Sequence, residues 1–210
     1  MMVVILHLCG MLAILLPSIS YLAQVPADQS LPPFGRDTVL VYKSSNENEG
    51  AFVVRIAVFA PERYFEWEDS TTQGTILMPA NVVSDARAFV NYQLFQAGVD
   101  TKGKDATTLW LSRRMYRELK ENPKVKFTID ALPTAVTVLG SGQMTIEVNR
   151  ASLSVPVIKI KDDRGAERWF LDLEENPLLV NLQVRNYQQK LASITTDHPN
   201  TLRWIKDKKK

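Results

Sequence analysis

The sequence predicts a mainly β (α+β) fold, a curved antiparallel sheet or open barrel with two short helices. Short β-favouring runs recur along the body, tight turns separate them, and only two segments change to a helical period. The body starts near Asp37. DTVLVYK (37–43), AFVVRIAVF (51–59), RYFEWED (63–69) and TILMPANVV (75–83) are separated by SSNENEG, by Ala60-Pro61 and by STTQG, the pattern of a meander. In the second run Phe52, Val54, Ile56 and Val58 alternate with Ala51, Val53, Arg55, Ala57 and Phe59. Both faces are mostly apolar, which suits a central strand covered on each side.

From Ser84 to Ala97 the period lengthens: Ala86, Phe89, Val90, Leu94 and Ala97 are spaced like one helical face, with Ser84 as cap and Gly98 as closure. The second helix is expected in LWLSRRMYRELKENP, capped by Ser112, with Leu111, Met115 and Leu119 at i, i+4, i+8 and Pro123 preventing its continuation. Strands return with KVKFTID, TAVTVLG, QMTIEVN, SVPVIKIK, ERWFLDL, PLLVNLQV and YQQKLASITT. Gly140-Ser141-Gly142 and Asp162-Asp163-Arg164-Gly165 read as turns between neighbours.

Outside residues 37–196, taken as one β-rich domain, the chain changes character. The first twenty residues, MMVVILHLCGMLAILLPSIS, read as a secretory signal, so a periplasmic or secreted protein is expected. Cleavage fits after Ser20 or after Ala27. An uncleaved N-terminal anchor is the alternative, because Met1 to Ala23 matches the roughly 20 residues of a spanning helix. Residues 21–36 hold three prolines and read as a linker, and 197–210 as a basic tail.

Composition narrows the chemistry. With 25 basic and 23 acidic residues the net charge is +2, too small to draw nucleic acid to the chain. The single cysteine, Cys9, lies in the leader; a cleaved chain has no disulfide, no thiolate nucleophile and no cysteine-ligated zinc. His198 is then the last histidine, which leaves histidine-based triads and zinc sites without partners. No metal and no cofactor are expected. LGSGQM (139–144) begins like a dinucleotide fingerprint but lacks the third glycine and runs into a strand. FTIDALP lacks the Thr or Ser followed by Gly that a retroviral-type aspartic protease needs after its aspartate.

Two kinds of candidate site remain. Carboxylates cluster at Glu66, Glu68 and Asp69, at Asp162 and Asp163, and at Asp172, Glu174 and Glu175. A carboxylate-dependent hydrolase requires two of these groups to converge. The aromatic residues Trp67, Trp110, Trp169 and Phe170 are candidates for lining an apolar cavity, and Arg113, Arg114 and Arg117, opposite the apolar stripe of the second helix, for meeting a partner.

The stretches TTLWLSRRMYRELK (107–120), VNRASLSVPVIKIKDDRG (148–165) and WFLDLEENPLLV (169–180), with a closing strand ending in KLASI, resemble a group of uncharacterised exported bacterial β-rich proteins. The likeness runs from about Gly74 to Ile194. It is similar in layout to periplasmic families of unknown function with a lipoprotein-carrier-like half barrel. The resemblance implies export and a β architecture and brings no catalytic residues. Together these features favour non-enzymatic binding of a lipid or other apolar or amphipathic molecule, or of an envelope protein. A carboxylate hydrolase and a membrane-tethered scaffold, touching the membrane through the leader, are the alternatives.

Overall fold

In the computed structural model of the chain, residues 30–46 and 49–196 are described. The segment 1–20 expected as a secretory signal, the expected linker to residue 29 and the expected tail 197–210 lie outside them. The rest of the linker belongs to the compact unit that begins at Leu31. There Phe34 is buried, its ring 5.4 Å from that of Phe59, and Leu31 packs on the same core.

Strands β1 (Val39–Ser44), β2 (Ala51–Val58), β3 (Arg63–Glu68) and β4 (Gln73–Met78) form the expected antiparallel meander. Helix α2 (Arg113–Glu121) also follows its sequence signals. Ser112 Oγ accepts from Met115 N at 3.0 Å, and Met115, Tyr116 and Leu119 are buried. β8 (Lys124–Ile129), β9 (Leu132–Val148), β10 (Ala151–Asp162), β11 (Glu167–Leu171), β12 (Leu179–Val184) and β13 (Tyr187–Thr195) form a second antiparallel series. β13 joins the two series by pairing with β1, giving one 13-stranded sheet. Its far end curls round to pair with β9 through Ser193 and Ile194.

The segment expected as a helix from Ser84 to Ala97 is not one. α1 (Ala80–Asp85) begins directly after Pro79, whose fixed φ suits a helix start, so the last residues of TILMPANVV turn helical and the helix ends at Asp85. β5 (Ala88–Phe89) follows, then irregular chain to β6 (Asp100–Lys102) and β7 (Ala106–Thr107). The spacing that looked helical belongs to a strap whose apolar residues enter different places. Ala86 reaches one core, Phe89 a second, Leu94 the border of the first, and Ala97 is exposed.

This strap also meets both sheet edges. β6 pairs with β4 at one end of the strand order and β7 with β5 at the other. Only Gly103 to Asp105 lie between them, so Lys102 and Ala106 are at most about 14 Å apart. The sheet is curved until its edges nearly meet, and both edge strands are too short to template further pairing.

Gly140 to Gly142 are not a turn but part of β9, which runs unbroken for 17 residues. Lys159 opposes Gly140 and Ile160 opposes Val138, leaving Leu139 as the extra residue of a β-bulge, half exposed, with Gly140 at φ 126°. The extra residue changes which face the even-numbered side chains take. Before it Val136 enters the core beneath α2, and after it Met144, Ile146 and Val148 enter the core shared with β1 to β4. β10 has no bulge and serves both cores with opposite faces, through Leu153, Val155 and Val157 on one side and Ile158 and Ile160 on the other. The turns that reverse the chain are Asp130-Ala131 and Asn149-Arg150. All four residues have positive φ, as two-residue primed hairpins require.

Candidate functional site

The acidic stretch after β11 and the basic face of α2, two separate candidates in the sequence, face one another. Tyr116 donates to Asp172 at 2.7 Å, and Lys120 Nζ reaches both oxygens of the same carboxylate at 2.9 and 3.0 Å. Arg117 Nε donates to Glu174 at 2.7 Å and Arg113 Nη2 to Glu175 at 2.5 Å. Residues 113, 116, 117 and 120 are spaced i, i+3, i+4, i+7, so one helical face supplies every donor. Burial opposes ionisation of Asp172, but the bonds from Lys120 and Tyr116 outweigh it and hold its carboxyl below the usual range. Arg114 turns away and pairs with Glu118 one turn on, at 3.1 Å. The three arginines expected to meet a partner are thus engaged within the chain.

Asn176, buried beside Pro177, accepts from Trp110 Nε1 at 2.8 Å, and Leu111 N donates to the Pro177 carbonyl at 3.1 Å. Trp110 is wholly buried, its ring 5.5 Å from that of Phe65. Phe170 is wholly buried in the other core, edge-on to Phe89 at 5.7 Å. Trp169 is half-buried beneath Lys159, whose Nζ lies 4.1 Å from its ring centroid. Of the four aromatic candidates, only Trp67 borders a cleft among those described next.

Trp67 is nearly buried, and its Nε1 has no hydrogen-bond partner among the described residues. Phe95, from the strap, meets it edge-on at 5.3 Å and meets Phe52 edge-on at 5.1 Å. Tyr42 lies 6.0 Å from Phe52. These four rings, with Tyr92 and Tyr187, line a cleft of about 500 Å³ whose lining also holds Ser44, Glu49, Asp69 and the buried Gln189. Gly74 makes the arrangement possible. A Cβ there would stand 2.8 Å from the Gln96 carbonyl and 2.9 Å from Trp67 Nε1, so only glycine lets the strap and the indole lie over β4.

Register on β1, β2 and β3 brings the rings together. Tyr42 is the cross-strand partner of Phe52, while Trp67 is that of Val54, two residues along on the same face. The Tyr42 hydroxyl is committed to the Leu179 carbonyl at 2.8 Å, and burial raises its pKa. Tyr92, nearly half exposed, places its hydroxyl 3.3 Å from Gln189 Oε1 and 3.4 Å from the Tyr187 hydroxyl. Burial raises the pKa of both tyrosines, so they are neutral polar groups at the mouth of the cleft. At the rim, backbone N–H groups of Thr71 and Thr72 hold Asp69 ionised against the cost of its partial burial.

Two further clefts flank this one. A smaller one of about 240 Å³ lies on β2 to β4 and carries Arg55, Glu66 and Glu68. The other, about 590 Å³, shares Tyr92 and Tyr187 with the aromatic cleft and is lined by Asp130, Asp162, Arg164, Arg168 and Arg185. None of the three is lined by carboxylates from both the Glu66–Asp69 group and the Asp162–Glu175 group. Among the described residues no cluster of three His, Cys, Asp or Glu side chains is placed to hold a metal ion, and no helix is long and apolar enough to cross a membrane.

Arg63 is a buried anomaly. It is 3% exposed, lies 3.7 Å over the Phe59 ring and donates to the Glu175 carbonyl at 3.1 Å, while its Nε and Nη1 have no hydrogen-bond partner among the described residues. Burial, with nearby Arg113 adding to it, lowers its pKa to about 10. Comparison of the chain with known protein families, with curated proteins and with solved structures finds no match.

Proposed function

We propose that this chain is an exported, non-enzymatic binding protein whose aromatic cleft takes an amphipathic small molecule. The observation that carries this reading is the Phe52, Trp67 and Phe95 trio. Phe95 meets both Phe52 and Trp67 edge-on, Phe52 and Trp67 are tilted at 33° to one another, and the three rings border an open cleft of about 500 Å³. The volume falls within the roughly 300 to 1,000 Å³ of small-molecule sites. Phe52 and Phe95 are only half-buried among the described residues, and an apolar ligand would complete their burial. Tyr92, Tyr187, Gln189 and Glu49 meet the polar part. The apolar leader supports export.

Titration with octyl glucoside below its micelle-forming concentration, followed by tryptophan emission, tests the reading. Trp67 borders the cleft whereas Trp110 is sealed in the core, so saturable binding changes the emission of the former. Phe52→Ala and Phe95→Ala are expected to weaken it. No saturable change, or an unchanged response in both variants, overturns the assignment.

A further inference from the structure

The groove continues past the aromatic cleft. Beyond Tyr92 and Tyr187, which wall both, the lining changes from rings to guanidinium groups: Arg164 from the turn after β10, Arg168 from β11 and Arg185 from the turn after β12. We propose that this neighbouring cleft of about 590 Å³ is an anion-binding subsite for a carboxylate or phosphate group.

The direction of its hydrogen bonds carries the assignment. The cleft holds two carboxylates, and both are occupied by the chain's own donors. Asp162 accepts from Arg164 N at 3.0 Å, Ala166 N at 2.9 Å and Arg168 Nη1 at 2.9 Å. Asp130 accepts from Asn91 N at 2.8 Å and Nδ2 at 2.5 Å. The unused capacity is on the donor side. Arg164 Nη2 makes a 3.3 Å bond to the Ile129 carbonyl and lies a distant 3.9 Å from Asp162, and Arg185 makes no ion pair among the described residues. Planar forks of this kind match the two oxygens of a carboxylate or phosphate.

The floor of the cleft is built to stay in place. Arg168, 2% exposed, is pinned between Asp162 and Asn91 Oδ1, the latter at 3.3 Å, so a fixed guanidinium lies beneath the two freer ones. Charge also differs along the groove. The aromatic cleft carries Glu49 and Asp69 and repels an anion, while three arginines against two carboxylates leave the second cleft positive. If the reading of the aromatic cleft holds, a bound amphiphile is oriented by this difference, its apolar part on the rings and its anionic headgroup against Arg164 and Arg185. If it does not, the same subsite takes a free anion.

Calorimetric titration of the full chain with octyl phosphate, octyl glucoside and inorganic phosphate tests this and separates the two sources. Octyl phosphate is expected to bind about tenfold tighter than octyl glucoside, as charge-assisted bonds allow. Arg164→Gln with Arg185→Gln should abolish that preference and leave octyl glucoside unchanged; Arg185→Gln alone, at an exposed turn, should reduce it without risk to folding. Binding of inorganic phosphate that is lost in the double variant, with no binding of octyl glucoside, supports the anion subsite and overturns the aromatic reading. Equal affinity for octyl phosphate and octyl glucoside without binding of phosphate, or an anion preference that survives the double variant, overturns the anion subsite.

Discussion

The α2 face and the Tyr92 groove are built from the same materials and end in opposite states. Along α2, Arg113, Tyr116, Arg117 and Lys120 each meet an oxygen of the Asp172 to Glu175 stretch, and Trp110 behind them is sealed by Asn176. In the groove, aromatic rings and guanidinium groups of the same kinds face open clefts, while Asp69 is occupied by the following backbone, Asp130 by Asn91 and Asp162 by its own turn and Arg168. Residue type therefore did not separate architecture from opening. What separated them was whether the chain itself supplied the complementary group.

The largest effect should come from moving the same truncation between the regions. Trp110→Ala is expected to cost about 3 to 5 kcal/mol, because it leaves a core cavity and orphans Asn176. Phe95→Ala, at a half-buried ring, should cost about 1 to 2 kcal/mol and weaken octyl glucoside binding. Urea denaturation measures both, and equal costs would mean that Phe95 is core and the cleft is closed.

Next is Gly74→Ala, expected to cost about 1 to 3 kcal/mol, since its methyl group would press on the Gln96 carbonyl and the Trp67 ring. Stability and amphiphile binding should fall together. A loss of stability alone would show that the strap does not shape the cleft.

Acid should affect the α2 face through Asp172. Its carboxyl is depressed in the folded state, so its contribution is complete above the unfolded value of about 4. As pH falls below that, the unfolded chain takes up the proton first and the contribution is lost on approach to the folded pKa. The difference in Tm between wild type and Asp172→Asn should therefore shrink between pH 6 and pH 3 in thermal unfolding. A difference that grows on acidification would give the opposite sign and exclude a depressed carboxyl.

The smallest effect should follow Arg113→Gln with Arg117→Gln. These are exposed pairs, each worth about 0 to 1 kcal/mol, so Tm should move little and octyl phosphate binding should not change. A lost anion preference in this double variant would place the anion site on α2 instead of the groove.

Much of the fold is legible in local signals because its elements obey local rules. The alternation of β2, the Ser112 cap and the i, i+4, i+8 stripe of α2 required no distant partner to be read. The strap from Ala86 to Ala97 was not legible, since residues entering different cores imitate one helical face. Nor was the bulge at Leu139. Gly140 and Gly142 suggest a turn, and only pairing along β10 shows that one extra residue re-aims the strand. Of the site, Trp67 was singled out from its composition, but Tyr42, Phe52, Tyr92, Phe95 and Tyr187 were not, because register and strap brought them to it.

By itself, the sequence determined the β-rich class, the second helix and its cap, and the exclusion of cysteine chemistry from the body, because propensity, spacing and composition are local quantities. Only the tertiary structure decided that the acidic stretch fastens α2, that Trp110 and Phe170 are core, and that six aromatic residues and three arginines share a groove. Those outcomes depend on pairing between residues far apart in the chain, such as β13 with β1 and the Asp172 turn with α2, and no local preference encodes such a pairing.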